Sequence, residues 1–249
     1  MVYRIEYMNT VHYETTSSTM DVILKHLESE LDNPILVIAK KQTKGRGRRD
    51  SEWFSPTGGL YMTYAFPLLT KPHLHQIRFL HYAAALGVQQ VLRKSFSDDV
   101  LVKWPNDIYF EKKKLGGILI ELVTKNLEYL LLGVGINIVR KDEGSEESKK
   151  LDIAFLEDII QDEIELDKLI KHFSESIFKF VNLTFSIDYK KLTSIYNKNM
   201  INMNRKHKFE SRAFTCKGIS ENGMLRLEST DSSHFDIPID QSTDLTILY

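Results

Sequence analysis

Apolar and polar positions alternate over residues 3–7, which predicts an edge strand at the start of the chain. The hydroxyl cluster Thr15, Thr16, Ser17, Ser18 and Thr19 then precedes an apolar period at Met20, Ile23, Leu24, Leu27 and Leu31. That spacing predicts a helix capped by Ser18, with Asp21 as capping partner. Residues 34–39 and 60–66 read as short strands, the second closed by Pro67. Ile77, Leu80, Ala84, Val88, Val91 and Leu92 mark one face of a long helix. Four strand-like runs follow at 101–104, 108–110, 117–123 and 129–138, with Lys112, Lys113 and Lys114 in the turn between the second and third. So many strands without intervening helices predict an α+β fold, a mixed, mainly antiparallel sheet backed by helices, and disfavour a doubly wound parallel sheet. Residues 140–150, almost wholly charged or small, predict a solvated loop, and 153–160 and 166–181 show helical periods. From about residue 205 the runs shorten to 209–218, 224–227, 235–239 and 245–248, the pattern of a small C-terminal SH3-like β-barrel. The expected domains are 1–200 and 201–249.

Among 249 residues, 33 Lys and Arg face 34 Asp and Glu, so no global basic field favours nucleic acid. The single cysteine, Cys216, excludes an intramolecular disulfide. No apolar run approaches the roughly 20 residues of a membrane span, and no signal-like N-terminus is present, so a cytoplasmic protein is expected.

Against this neutral background, Lys44-Gly45-Arg46-Gly47-Arg48-Arg49 concentrates cations on a glycine-containing loop that leads to Trp53. Peptide N–H groups and guanidinium forks on such a loop converge on a phosphate or carboxylate; a solvated basic turn or a nucleic-acid contact is the competing reading. The loop is expected to be mobile until an anion arrives. His73, His75 and His81 lack a matching acid or cysteine and read as surface or core histidines. Gly133-Val134-Gly135 sits inside a strand and lacks the context of a dinucleotide fingerprint.

Five segments in order, Gly45-Arg46-Gly47-Arg48-Arg49, Trp53-Phe54-Ser55-Pro56, Lys103-Trp104-Pro105-Asn106-Asp107, Lys114-Leu115-Gly116-Gly117-Ile118-Leu119 and Gly133-Val134-Gly135-Ile136-Asn137, resemble those of biotin protein ligases. The resemblance implies a catalytic domain of the biotinyl-ligase, class II aminoacyl-tRNA synthetase-like type, plus the small barrel. It implies that biotin carboxylate attacks the α-phosphate of ATP, giving biotinyl-5′-AMP and pyrophosphate, and that a lysine of a biotin carboxyl carrier protein domain then takes the biotinyl group. Two anions must meet, and unit charges 4 Å apart repel by about 4 kcal/mol at an effective dielectric near 20. The resemblance assigns Arg46, Arg48 and Lys114 to offset this, with Lys103 as a second catalytic candidate. It implies biotin contacts from Ser18, Thr19, Met20, Gln42, Gly45, Arg46, Gly47, Arg48, Lys114, Gly117, Gly133 and Gly135. ATP or adenylate contacts are implied for Arg48, Arg49, Trp53, Lys103, Asn106 and Asn137. Asn106 and Asp107 offer oxygen ligands to a Mg²⁺ held with the ATP phosphates; a turn-stabilising Asp107 is the alternative. Trp53 and Trp104 compete to wall the site, with Trp53 favoured by its place beside the loop.

The sequence departs from the family pattern at Asp50-Ser51, commonly Gly-Arg, and at Met20, frequently Asn. The chain begins directly at the catalytic domain, so the winged helix with which some members bind operator DNA is not expected, and no DNA partner either. Monomer and homodimer both remain open. Two rival functions are a lipoate or octanoate ligase or transferase, which shares the adenylate logic, and a non-catalytic RNA-binding protein, which requires an extended basic surface.

Overall fold

The computed structural model describes residues 3–27, 33–68, 72–141, 153–160, 162–185, 189–210, 212–239 and 246–247. Strands β1 (Asn9–Tyr13), β2 (Ile35–Ala39), β3 (Gly59–Leu68), β4 (Val100–Lys103), β5 (Asp107–Phe110), β6 (Lys113–Thr124) and β7 (Glu128–Asn137) form a seven-stranded sheet ordered β1-β2-β3-β7-β6-β5-β4. β1 and β2 are parallel and every other neighbouring pair is antiparallel. Helices α1 (Thr19–Val22), α2 (Leu74–Ser95), α3 (Leu166–Phe185) and α4 (Tyr189–Asn199) accompany it. A five-stranded sheet of β8 (Lys206–Phe209), β9 (Arg212–Ile219), β10 (Leu225–Glu228), β11 (His234–Ile237) and β12 (Thr246–Ile247), ordered β11-β10-β9-β8-β12, follows.

The two-residue period of strands divides the core between the faces of the large sheet. Leu36 and Ile38 of β2 join the major cluster under α2 and α3, whereas Ile35 and Val37 pack with Met20, Val22, Ile23 and Leu27 on the opposite face. Covered on both sides, β2 and most of β3 read as continuous apolar runs. α2 and α3 come close at Gly87, where a Cβ would stand 3.0 Å from the Ile177 Cα.

Several local expectations change. The first strand is Asn9–Tyr13, not 3–7; residues Ile5–Tyr7 form a 3-10 turn, and Tyr3 is a buried anchor whose hydroxyl donates to the Pro67 carbonyl (2.7 Å). That bond also explains why Pro67 does not end β3. In an extended residue the nitrogen and carbonyl face the same side, so with the oxygen turned to Tyr3 the missing N–H removes no bond to β7. The helix after Ser18 stops early, passing into a 3-10 turn at Ile23–Lys25, and Leu31 lies outside the described residues. Lys113 and Lys114 belong to β6 rather than to the turn. Within 153–160 only a 3-10 turn, Leu156–Asp158, forms. Its start is held from Arg140, which pairs with Asp158 at 2.5 Å and Glu157 at 3.1 Å; residues 142–150 of the predicted loop are not among those described. The run 209–218 divides into β8 and β9 around Glu210, at φ 45°. α4 has no counterpart in the expectations, because Leu192 and Tyr196 are its only buried side chains amid lysines and asparagines.

Candidate functional site

One face of β6 and β7 is bare of side chains where Gly117 and Gly135 pair in register. The indole of Trp53 lies on that bare patch: a Cβ at Gly135 would stand 2.7 Å from Trp53 Nε1, and one at Gly117 3.1 Å from the ring. Nε1 is buried with no hydrogen-bond partner. Above the ring lies the Lys114 ammonium, 4.8 Å from its centroid and 2.8 Å from Asp107 Oδ1. Strand register produces this meeting, since Asp107 pairs with Gly117 across the β5–β6 hairpin, whose bulge shifts Lys114 toward it.

These residues edge a cavity of about 360 Å³. Its opposite wall is the N-terminus of α1. Ser18 caps that helix, its Oγ accepting from Met20 N at 3.2 Å, as the hydroxyl pattern predicted. Thr63 Oγ1 donates to Thr19 Oγ1 (2.8 Å), Thr19 Oγ1 to Gln42 Oε1 (3.0 Å), Gln42 Nε2 to Ser55 Oγ (2.8 Å) and Ser55 Oγ to the Trp53 carbonyl (2.8 Å). Gln42 Oε1 also accepts from Thr19 N at 2.7 Å. The relay locks the wall to the segment carrying the indole; Ser55 stood in a recognised motif without a role, and Thr63, fully buried, escaped the sequence reading because an isolated hydroxyl in a strand carries no motif.

The basic loop is a small ribbon. Gly47 N donates to Ser51 O (2.7 Å), Trp53 N to Gly45 O (2.9 Å), and Arg46 pairs with Glu52. Arg49 and Asp50 turn the chain at φ 52° and 60°. Asp50 thus occupies a left-handed position, the conformation that glycine adopts without steric cost. Arg48 leaves the ribbon to donate to Asn106 Oδ1 (3.3 Å) and to the Ile239 carbonyl (2.7 Å), fastening the loop to the smaller sheet. Arg46, expected on an anion, is turned to two carboxylates, Asp21 Oδ1 at 2.9 Å and Glu121 Oε1 at 2.5 Å. Asp21 is therefore not the capping partner of Ser18.

The cavity is lined by Ser18, Thr19, Met20, Gln42, Arg46, Gly47, Arg48, Arg49, Trp53, Asn106, Asp107, Lys114, Gly117, Gly133 and Gly135, all expected at a site. Gly133 faces Met20, whose Sδ would lie 2.9 Å from an added Cβ. Gly45, Lys103 and Asn137 are not among its lining residues. Gly45 is buried within the ribbon against Ser55 and Gln42, Lys103 donates to the Tyr109 hydroxyl (3.0 Å), and Asn137 donates to the carbonyls of Lys114 (3.3 Å) and Ala154 (3.1 Å). Asn137 thus fixes the backbone that presents Lys114. Trp104 is a core residue, its Nε1 donating to Tyr82 OH at 3.0 Å.

On the outer side of the ribbon a cleft of about 890 Å³ runs past Ile77, Arg78, His81 and Glu121 to Pro238 and Ile239. His81, with Nδ1 donating to the Ile77 carbonyl at 3.0 Å, has its pKa lowered to about 4 by burial. His75 meets the Glu221 carbonyl at 3.1 Å. Among the described residues no group of three or more His, Cys, Asp or Glu could hold a metal ion.

The model of the Biotin/lipoate A/B protein ligase family matches residues 12–137. The "Bifunctional ligase/repressor BirA" of Escherichia coli (strain K12) is 38% identical over 135 residues, 50% of this chain and 39% of that protein, so the chain spans well under two thirds of this relative. "Biotin--protein ligase 2" of Arabidopsis thaliana is 26% identical over 238 residues, 89% of this chain and 70% of that one. The structure of the biotin protein ligase from Aquifex aeolicus in complex with biotin and ATP superposes with a TM-score of 0.78 at 24% identity, covering 96% of this chain and 98% of that one.

Proposed function

Because the chain belongs to the Biotin/lipoate A/B protein ligase family, we propose that it is an ATP-dependent biotin protein ligase. Biotin carboxylate attacks the α-phosphate of ATP, pyrophosphate leaves, and a lysine of a biotin carboxyl carrier protein domain attacks the mixed anhydride and releases AMP. The observation that carries this reading is Lys114, held between Asp107 and the Trp53 ring at the floor of the cavity. An ammonium fixed over an apolar surface is a preorganised counter-charge for a carboxylate and for charge growing on the α-phosphate. Asp107 orients it, and Arg48, reaching across to Asn106, supplies the second cation.

The wall of Ser18, Thr19 and Gln42 presents hydroxyl and amide groups to the polar ring of biotin, while Met20 and Leu119 line its apolar part. Arg49, which lines the cavity, is assigned to the nucleotide phosphates. Lys103, held at Tyr109, and Gly45, buried in the ribbon against Ser55 and Gln42, are given no part in the chemistry. Asn137 supports Lys114 from its backbone. Mg²⁺ accompanies ATP as part of the substrate. The protein offers it one carboxylate at this floor, Asp107, already paired with Lys114, and among the described residues no group of three or more His, Cys, Asp or Glu could cage a metal, so no step depends on one.

The smaller sheet fits an SH3-like barrel, with the division between domains near residue 200. The protein would act in the cytoplasm, and no helix among the described residues is long and apolar enough to cross a membrane. The partner is the carrier domain, met by a monomer or homodimer.

ATP–pyrophosphate exchange with biotin, lipoate, octanoate or no acid tests the reading. Exchange that requires biotin supports it. Exchange with lipoate or octanoate alone assigns the chain to the other branch of its family, and none with any acid in a folded sample overturns ligation.

A further inference from the structure

The ribbon is the wall between two spaces. Gly47, Arg48, Arg49, Ser51 and Glu52 line both the inner cavity and the outer cleft, and Arg46 does so too. Arg46 is also where the ribbon meets the sheet: Nη1 bonds Asp21 on α1 and Nη2 bonds Glu121 on β6, so one guanidinium ties the ribbon to the two elements whose Met20 and Leu119 line the cavity. Two carboxylates on one cation leave a local charge of −1, which removes Arg46 from the task of attracting an anion. A planar fork held at both ends instead fixes the ribbon in position.

We propose that Asp21 and Glu121 are positioning residues that bolt the basic ribbon over the inner cavity through Arg46 and so retain the adenylate. The proposal rests on the ligase reading for what is retained, but not for the bolt itself. The side chains are only partly shielded, with exposures of 36% for Arg46, 46% for Asp21 and 27% for Glu121, so the bolt is weak enough to open during turnover and is screened by salt. Glu121 also faces the outer cleft, where an incoming lysine ammonium would meet a carboxylate able to exchange Arg46 for it.

The test uses the whole chain with Asp21→Asn, Glu121→Gln, both together, and Glu121→Asp. Trypsin cleavage after Arg46, Arg48 or Arg49, measured without ligand, reads the bolt alone. Cleavage is expected to rise about five-fold in the double variant, as follows from two partly exposed ion pairs, and to return toward the parent rate in Glu121→Asp. Release of preformed biotinyl-adenylate is expected to rise by a similar factor while the KM for biotin in exchange stays within about twofold. Release from the parent should climb with ionic strength, and release from the double variant should not. Unchanged cleavage in a folded double variant overturns the bolt. Faster cleavage with unchanged adenylate release overturns its role in retention. Faster cleavage in a protein that adenylates no acid keeps the bolt and overturns the ligase reading instead.

Discussion

Lys114 and Asp107 stand 2.8 Å apart across the β5–β6 hairpin, and the register of that hairpin brings the pair over the Trp53 ring. A lysine held at one oxygen and above one aromatic face has little rotational freedom left, so its charge is aimed before any substrate arrives.

Replacing the cation should therefore cost far more than replacing its guide. Lys114→Met is expected to lower biotin-dependent pyrophosphate exchange by about 100-fold or more, the range for losing one preorganised group on developing charge. Asp107→Asn is expected to lower it by about tenfold, by letting the ammonium wander. Equal losses in the two variants would contradict a merely orienting Asp107.

The floor of the cavity gives a second expectation. Gly135→Ala places a methyl group 2.7 Å from Trp53 Nε1, so the indole must lift from the sheet, whereas Gly117→Ala meets the ring at 3.1 Å and requires a smaller shift. Gly135→Ala should raise the biotin KM by about tenfold or more and red-shift the emission, because the other tryptophan, Trp104, is buried elsewhere. An unchanged spectrum and KM would refute the stacking.

The ribbon's tie to the smaller sheet yields a third. Arg48→Gly removes the bonds to Asn106 and to the Ile239 carbonyl together. Leakage of biotinyl-adenylate should rise more than the biotin dissociation constant does. The comparison is the rate of adenylate loss against equilibrium biotin binding on the same variant, and equal effects would count against it.

His81 predicts an acid-side weakness. Its folded pKa of about 4 lies below the 6.5 of an exposed imidazole, so between these values the unfolded chain binds the additional proton. Stability from this group is full above about pH 6.5 and falls as pH drops toward 4, by up to about 3 kcal/mol. His81→Gln should flatten the urea-midpoint profile between about pH 5 and 6.5, where few carboxylates titrate. A profile parallel to the parent would show that His81 is not buried neutral.

Much of this architecture is legible in the chain itself. Runs such as residues 129–138 announce a strand because both faces of β7 are covered, and the scarcity of helix between strands announces the antiparallel sheet. The elements misjudged are those whose stability comes from elsewhere: α4 has two buried side chains, and the turn at Leu156–Asp158 is held by Arg140. At the cavity, the motifs located the Gly117–Gly135 patch and Lys114. They did not indicate that Arg46 would be taken up by Asp21 and Glu121, because ion pairs over 25 and 75 positions leave no periodic trace. Nor did they separate Lys103 from Lys114: register puts both on the face of Asp107, but Lys103 stands on the edge strand β4, held at the Tyr109 hydroxyl, and does not line the cavity.

The indole that forms the floor belongs to the same short segment as the lid. Trp53 follows the ribbon by one residue past its Arg46–Glu52 pairing, so roof and floor share a hinge and cannot be adjusted independently. A mutation that loosens the ribbon also tilts the surface on which a ligand rests, and one that reshapes that surface disturbs the closure. Room for a longer or shorter acid must then be found at the end formed by Met20 and Leu119, where side chains can change size without moving either.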